Sequence, residues 1–318
     1  MTTRIRFSCL ALCKHPARAA VMDHAAKTRT GLAAALLTYL IWGFLPLYFR
    51  ELHHVPSVEL VAWRIIFTLP LCLLFLFARG QWHELGAALR TPRLMVQLSL
   101  SAVLVAMNWL IYIFAINAGH VLAASLGYFI NPLVNVLLGT LVLKETLNRL
   151  QWSAVGIAAF GIALLLGGPL DMMVVALSLA TSFGLYGLVR KLAPVGAVTG
   201  QAIESLVLYV PAVLAALWFA TQGQGSSILD GPGTAALLFG AGVLTAVPLA
   251  LFAMAARSLD LSTLGFIQFL SPTIVFVLGL AVYHEPLDSV RLACFVLIWI
   301  AIGVFSADMV LRARGTKG

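Results

Sequence analysis

The hydrophobic pattern of this chain consists of long apolar runs separated by short polar turns. Each run lasts at least 15 residues, whereas a membrane-barrel strand alternates apolar and polar residues at every second position. Runs of this kind suit helices of about 20 residues, the length that crosses the hydrocarbon core of a bilayer. The pattern therefore predicts ten transmembrane helices, within 31–49, 58–77, 94–116, 121–143, 152–166, 172–189, 200–218, 234–255, 262–282 and 292–309.

The composition agrees with a membrane protein and excludes other classes of chain. Hydrophobic residues make up 61% of the 318 residues and charged residues only 10%, against about 25% in a soluble domain. So few charges cannot cover a surface in water, which excludes soluble globular, disordered and disulfide-rich secreted proteins. The predicted fold class is therefore an all-α integral membrane protein.

The positive charges are distributed unevenly between the two sides of the predicted bundle. Of the 20 lysines and arginines, 17 lie on the side of the N terminus, Arg50 and Arg291 lie on the other side, and Arg64 lies within the second span. Because positively charged loops stay in the cytoplasm, both termini are predicted to be cytoplasmic. The asymmetry also accounts for the net charge of +8, so no nucleic-acid partner is expected. Residues 1–30 are interpreted as a disordered cytoplasmic extension, with Met22 as an alternative start.

The two halves of the chain are related by an internal repeat. The segment that begins at Ser125, SLGYFINPLVNVLLGTLVLKETL, aligns with the segment that begins at Thr263, TLGFIQFLSPTIVFVLGLAVYHEPL. Each half has five predicted spans, so the second half enters the membrane from the side opposite to the first. Inverted repeats of this kind build secondary transporters, whose halves expose a midplane site alternately to each side. The sequence therefore predicts ten transmembrane helices arranged as two inverted five-helix repeats.

Five segments are more specific than generic apolar runs. They are YLIWGFLPLYF (39–49), NWLIYIFAINAGHVLAASLGYFINPLVNVLLG (108–139), YGLVRK (186–191), TAVPLALFAMAA (245–256) and LSTLGFIQFLSPT (261–273). Together they closely resemble the EamA branch of the drug/metabolite transporter superfamily. The resemblance implies a permease of the bacterial inner membrane, with EamA-like repeats over 31–168 and 169–309 and a cytoplasmic tail over 310–318. It implies no particular solute.

Two charged residues are predicted to lie at membrane depth, where charge is costly and marks a candidate for function. Arg64 lies about 8 Å below the outer surface. It is interpreted as an anchor for a carboxylate or phosphate group, or as an arginine that snorkels or pairs with a helix. Glu204 lies about 6 Å from the cytoplasmic side. It is interpreted as a site for a proton or ammonium group, or as a partner of Arg190, Lys191 or a tyrosine hydroxyl. Their depths leave about 16 Å between the two side chains, so no ion pair is predicted.

Amide and aromatic side chains complete the predicted substrate pathway. Asn131 and Asn135 share one face of the fourth span around a proline, and Gln268 lies near the equivalent proline of the ninth. Such amides bind polar solutes or hold helices together through interhelical hydrogen bonds. The aromatic residues either line a pocket for an amphipathic solute or pack in the core. The full candidate set is Arg64, Asn108, Trp109, Tyr112, Tyr128, Asn131, Asn135, Tyr186, Glu204 and Gln268.

Three functional hypotheses are compatible with a helical membrane protein. A secondary transporter that exports a small metabolite or drug-like compound accounts for both the repeat and the polar residues at depth. An enzyme acting on lipid or isoprenoid substrates needs clustered acids or metal ligands. A scaffold without transport activity explains neither the repeat nor the polar residues at membrane depth. The sequence has no P-loop, H-E-x-x-H or G-x-S-x-G motif, so no cofactor, metal or direct use of ATP is expected. The expected partners are a small-molecule solute, the lipid bilayer and, as an open alternative, a coupling proton.

Overall fold

The structure, a computed structural model, describes residues 16–117, 121–164, 170–222, 225–282 and 289–315. All regular structure within these ranges is helical, as the apolar pattern predicts. The helices are α1 (Pro16–Arg50), α2 (Ser57–Ala78), α3 (Trp82–Leu89), α4 (Pro92–Asn117), α5 (Val121–Leu141), α6 (Arg149–Ala163), α7 (Leu170–Leu192), α8 (Ala197–Ala220), α9 (Pro232–Ser258), α10 (Leu261–Gln268), α11 (Leu270–Ala281) and α12 (Ser289–Gly315), with one 3₁₀ turn at Ser227–Leu229.

Within the described ranges, eight apolar helical stretches are long enough to cross a membrane. They have 18 to 27 residues, and at about 1.5 Å per residue each is close to or longer than the roughly 30 Å of hydrocarbon. They lie in α1, α2, α4, α7, α8, α9, α10 with α11, and α12. The fourth predicted span corresponds to α5, whose Gly127–Leu141 part is a shorter apolar helix, and the fifth to α6, with 15 residues. Residues outside the described ranges directly precede α5 and begin two residues after the end of α6.

The helices at the start of the chain differ from the prediction in two places. Helix α1 begins at Pro16, so residues 16–30 extend the first span as helix instead of forming a disordered extension. This stretch is rich in alanine, the strongest helix former, which explains its conformation. Residues 1–15 lie outside the described residues. Helix α3 is an additional short helix between the second and third predicted spans, in a segment where the apolar pattern predicts no helix.

A break between α10 and α11, within the ninth predicted span, coincides with an irregularity of the predicted repeat. Gly127 and Pro132 are five residues apart, whereas their counterparts Gly265 and Pro272 are seven apart. The two additional residues fall at the junction of α10 and α11, where Phe269 donates its N–H three residues back, in the 3₁₀ manner. Two extra residues in a continuous helix would rotate all later side chains by about 200°. The break therefore offers a place to accommodate them.

The helices of each half pack extensively on those of the other half. Helix α1 lies against α9 and α11, and α7, its counterpart in the second half, lies against α4 and α5. Helix α2 packs on its counterpart α8, α5 packs on α10, and α6 packs on α12. If each helix in these contacts is replaced by its counterpart from the other half, every contact becomes either another of the contacts named here or the same contact again.

Two close helix crossings show the same relation between single residues. Gly43 of α1 faces Ile274 of α11, and Gly184 of α7 faces Val134 of α5. A Cβ atom added at these glycines would lie 2.8 Å and 2.7 Å from the facing side chains, so any larger residue would push the helices apart. The two glycines are 141 residues apart in sequence and their partners are 140 apart, which matches the offset of the repeat.

Candidate functional site

A narrow cavity lies between α2, α4, α8 and α9. Two of these helices come from the first half of the chain and two from the second, so the cavity lies where the halves meet. Its volume of about 10 Å³ is close to the minimum that holds one water molecule. Among the described residues, the side-chain oxygen of Gln201 is buried at the cavity without a hydrogen-bond partner. The other polar residues of the lining are Thr68, Trp109, Glu204, Ser205 and Thr245.

Arg64 joins α2 to α9 beside this cavity. Its Nε donates a hydrogen bond to Oγ1 of Thr245, at 2.8 Å. Its guanidinium lies over the rings of Phe49 and Trp109, with centroids 5.3 Å and 5.0 Å away. We call these four residues the arginine clamp. The side chain of Arg64 is only partly buried, so its terminal N–H groups are available to an acceptor, while the ring faces stabilise the charge.

Glu204 forms a second polar cluster, which joins α8 to α4 and α7. Its carboxylate accepts hydrogen bonds from the hydroxyls of Ser101 and Tyr186, and Nη1 of Arg190 lies 3.5 Å from Oε1. We call these four residues the glutamate clamp. Glu204 and Arg190 are each only 1% exposed. The structure therefore places Glu204 with Arg190 and a tyrosine hydroxyl, as one of the two interpretations from the sequence expects.

Arg190 lies directly against the main chain of α8. Its Nη2 donates to the carbonyl oxygen of Ala197 at 2.8 Å, and a Cβ atom added at Gly200 would lie 1.9 Å from Nη1. Within the described chain, Nε and Nη1 of Arg190 have no hydrogen-bond partner, although Nη1 faces Glu204. Because an uncompensated buried charge is costly, the opposite charge of Glu204 is what permits Arg190 to be buried.

The two clamps are separate in this structure. Arg64 and Glu204 form no ion pair with each other in the part of the chain that the structure describes. Each has its own partners from a neighbouring helix. The hydroxyl partners Thr245 and Ser101 are not predictable from the sequence, because an isolated Thr or Ser in an apolar run gives no signal of its own.

The predicted amide residues hold helices together and are absent from the lining of the cavity. Asn108 donates to a main-chain carbonyl of α7 at 2.8 Å, and Asn131 donates to another at 2.7 Å. Asn135 donates to the side-chain oxygen of Gln268 at 2.8 Å, which joins α5 to α10. All four amides are buried. This geometry matches the alternative in which the amides form interhelical hydrogen bonds.

The predicted aromatic residues divide between two environments. Tyr186 is completely buried and stacks on Phe252, with 5.7 Å between the ring centroids. Tyr112 and Tyr128 are 37% and 49% exposed and face each other at 5.9 Å. Both lie near the guanidinium of Arg64. Tyr112 and Tyr128 therefore belong to the accessible surroundings of the arginine clamp, whereas Tyr186 belongs to the core.

Two further acids, which the sequence analysis did not select, connect distant segments. Glu59, buried at the start of α2, accepts hydrogen bonds from Ser226 and from the N–H and hydroxyl of Ser227, and so fixes the 3₁₀ turn. Glu145 accepts two main-chain N–H groups at the start of α10, at 2.7 Å and 3.0 Å, and caps that helix from the other half. Their positions at the ends of predicted spans are the only sequence signal for these roles.

Comparisons with known proteins agree with this architecture. Residues 29–167 match the EamA-like transporter family. The chain is 42% identical to an uncharacterized transporter of Pseudomonas aeruginosa, over 89% of this chain and 95% of that protein. It is 40% identical to protein RarD of Escherichia coli, over 92% of this chain and 99% of that protein. A crystal structure with 16% identity has a TM-score of 0.70 and covers 87% of this chain and 97% of its own.

Proposed function

Because the chain belongs to the EamA-like transporter family, together with the RarD proteins, we propose that it moves a small metabolite or drug-like compound across the bacterial inner membrane by alternating access. Membership of this family makes the protein a multi-pass membrane transporter and not an enzyme acting on lipid or isoprenoid substrates. We propose that it has ten spans, that both termini are cytoplasmic and that transport runs outward.

The proposed inverted repeat draws support from how the helices pack. Helix α1 contacts α9 and α11 of the second half, and its counterpart α7 contacts α4 and α5 of the first half. Because α9 and α11 are the counterparts of α4 and α5, the two sets of contacts are equivalent. Gly43 and Gly184 repeat this relation at close helix crossings. Two halves that interlock in this way can rock against each other about a site between them, which is the motion that alternating access needs.

We propose that Arg64 receives a carboxylate or phosphate group of the solute. The observation that carries this proposal is a partly exposed guanidinium, held by one hydrogen bond and two ring faces, whose terminal nitrogens remain available. Trp109, Tyr112 and Tyr128 would contact the apolar part of the same solute, since Trp109 contacts the guanidinium and the two tyrosines, which face each other, lie near it. The preferred solute is therefore a small amphipathic anion.

The glutamate clamp is proposed to close the pathway at its cytoplasmic end. The cavity beside Glu204 has room for about one water molecule, so a solute passes only after the helices around it separate. Ser101 and Glu204 bridge α4 of the first half and α8 of the second, and this contact breaks if those helices part. Proton binding to Glu204 would weaken its attraction to Arg190, which gives a route for proton coupling.

Transport by purified protein in proteoliposomes tests the proposal. Vesicles are loaded with a pool of aromatic carboxylates, matched neutral amides and matched amines, and release is followed by mass spectrometry with and without a pH gradient. We expect the carboxylates to leave faster than their amides. Equal release of all three classes would contradict the role of Arg64, and no protein-dependent release of any compound would contradict the transport function for these classes.

Reporter fusions test the topology independently of the solute. Fusions after His54 and Gln222 are expected to report the external side, and fusions after Arg90 and Arg149 the cytoplasm. A cytoplasmic signal after Gln222 would contradict the inverted arrangement, because that position follows the seventh span.

A further inference from the structure

A second cavity, distinct from the one between the clamps, lies where the end of α2 approaches the start of α8. Its volume is about 250 Å³. Phe75, Arg79 and Gln81 line it from the side of α2, and residues 196–199 line it from α8. Neither clamp contributes a side chain to it, and the proposed transport pathway does not use it.

The start of α8 presents main-chain donors to this cavity. Gly196 occupies the N-cap position and supplies no side-chain hydrogen bond to the helix, which has 24 residues. The first N–H groups of a helix have no partner inside it, and the helix dipole makes this end partly positive. Residues 197–199, which carry those N–H groups, form part of the cavity wall. Such an end favours an anion.

The hydroxyl of Thr199 indicates independently that this cavity binds a ligand. The residue is 1% exposed, it borders the cavity, and its Oγ1 has no hydrogen-bond partner among the described residues. A buried hydroxyl is normally satisfied, because leaving it without a partner is costly. An acceptor oxygen in the cavity would satisfy it.

The charged groups at this cavity favour an anion of low charge. The exposed guanidinium of Arg79 lies over the ring of Phe75, 5.4 Å from its centroid. The carboxylate of Glu84, on α3, accepts the N–H of Gly196 at 2.6 Å and offsets part of the positive potential. A guanidinium, main-chain N–H groups and a hydroxyl together suit a phosphate group. The nearby carboxylate favours a singly charged phosphodiester over a phosphate dianion.

The surroundings of the cavity identify the source of the phosphodiester. Leu74, Phe75 and Phe77 at the end of α2 are 64%, 41% and 69% exposed, which provides an apolar surface for acyl chains. Trp82, at the start of α3, is 44% exposed, as is common at the boundary between lipid and water. This is also the side of the bundle that carries most of the lysines and arginines, which attract anionic lipids.

We propose that this cavity binds the phosphodiester headgroup of an anionic phospholipid, with its acyl chains along α2. A bound headgroup would fix the start of α8, and Glu204 lies five residues beyond Thr199 on that helix. Any effect of the lipid on transport rests on the proposed function, whereas binding of the lipid does not.

Thermal unfolding of the full-length protein in neutral detergent tests the site. Dioleoylphosphatidylglycerol, dioleoylphosphatidylcholine and inorganic phosphate are titrated separately. We expect phosphatidylglycerol alone to raise the melting temperature in a saturable way. Thr199→Val and Arg79→Gln each remove one contact to the headgroup and are expected to weaken the apparent affinity for phosphatidylglycerol about tenfold. Arg90→Gln, an exposed change outside the cavity lining, serves as the matched control and should behave like the parent protein.

Three outcomes would overturn the proposal. They are an equal response to phosphatidylcholine, an equal shift with inorganic phosphate alone, and unchanged affinity in both Thr199→Val and Arg79→Gln. Native mass spectrometry, which counts retained phosphatidylglycerol per protein, decides the question if either variant is unstable at the start. Loss of lipid binding with intact transport would leave the proposed function standing, so the two failures are distinguishable.

Discussion

The arginine clamp and the glutamate clamp use opposite charges at corresponding places in the two halves. Arg64 and Glu204 are 140 residues apart, on α2 and its counterpart α8. Arg64 is partly exposed, bonds to a single hydroxyl and rests on two aromatic rings. Glu204 is fully buried, with two hydroxyl donors and a buried guanidinium. The two charges occupy corresponding positions of the predicted repeat, and the neighbouring helices bury Glu204 while they leave Arg64 partly exposed.

This difference has an energetic meaning. A buried ion pair loses hydration that its own attraction only partly restores, but removing one partner leaves an uncompensated charge. The glutamate clamp is therefore expected to govern stability. In the arginine clamp, the terminal N–H groups of Arg64 form no hydrogen bond to a described residue, so this clamp is expected to govern solute binding. The following changes test whether the two clamps divide these roles.

Arg190→Ala is expected to have the largest effect. The change leaves the carboxylate of Glu204 buried without its cation, which costs about 3–5 kcal/mol of unfolding free energy. Thermal unfolding in detergent measures the loss. The double variant Arg190→Ala with Glu204→Ala should recover a large part of it, since neither charge then remains. A double variant as unstable as Arg190→Ala alone would contradict the pairing.

Arg64→Ala is expected to slow the release of anionic solutes about 10- to 100-fold, the value of one charged hydrogen bond. Its melting temperature should stay near that of the parent protein, because Arg64 is only partly buried. Arg64→Lys, which keeps the charge but loses the planar fork, should be intermediate. Proteoliposome flux measures both variants.

Exchange of the two charges tests the separation of the clamps. The double variant Arg64→Glu with Glu204→Arg is expected not to recover transport, because the two side chains do not form an ion pair. Substantial recovery would mean that they meet in another state of the transport cycle.

Gly200→Ala is expected to destabilise the protein by about 1–3 kcal/mol, the usual cost of overpacking. The new methyl group would lie 1.9 Å from Nη1 of Arg190 and displace the guanidinium without changing any charge. Gly156→Ala on α6 is the matched control, since no described heavy atom beyond the adjoining backbone of its own helix lies within 4 Å of the added carbon. That control should be neutral or slightly stabilising, because alanine is the better helix former.

Asn135→Leu is expected to have the smallest effect, about 0.6–1.7 kcal/mol, the range of interhelical hydrogen bonds in membranes. Gln268→Leu should cost a similar amount, and the double variant should cost less than the sum, since both single changes remove the same bond. Thermal unfolding measures the cycle. Fully additive losses of unfolding free energy would show that the bond contributes nothing to stability. Loss of transport in Asn135→Leu would instead indicate that this amide contacts the solute.

The sequence by itself determined the class of protein, most of its helices and its family. Apolar runs set the spans because the bilayer imposes a minimum length on each helix. The repeated SLGYFINP and TLGFIQFLSP segments indicated the relation between the halves. These properties depend on the order of residues along the chain, so the apolar pattern and the alignment of its two halves are sufficient to find them.

Only the tertiary structure decided which polar residues contact one another. A soluble helix marks its buried face by a stripe of apolar residues, but a membrane helix is apolar on all sides and carries no such mark. The sequence therefore placed Asn135 and Arg64 in one candidate site, although the first bonds to Gln268 and the second to Thr245. Both partners lie more than 130 residues away, and only the packing of the two halves brings them together.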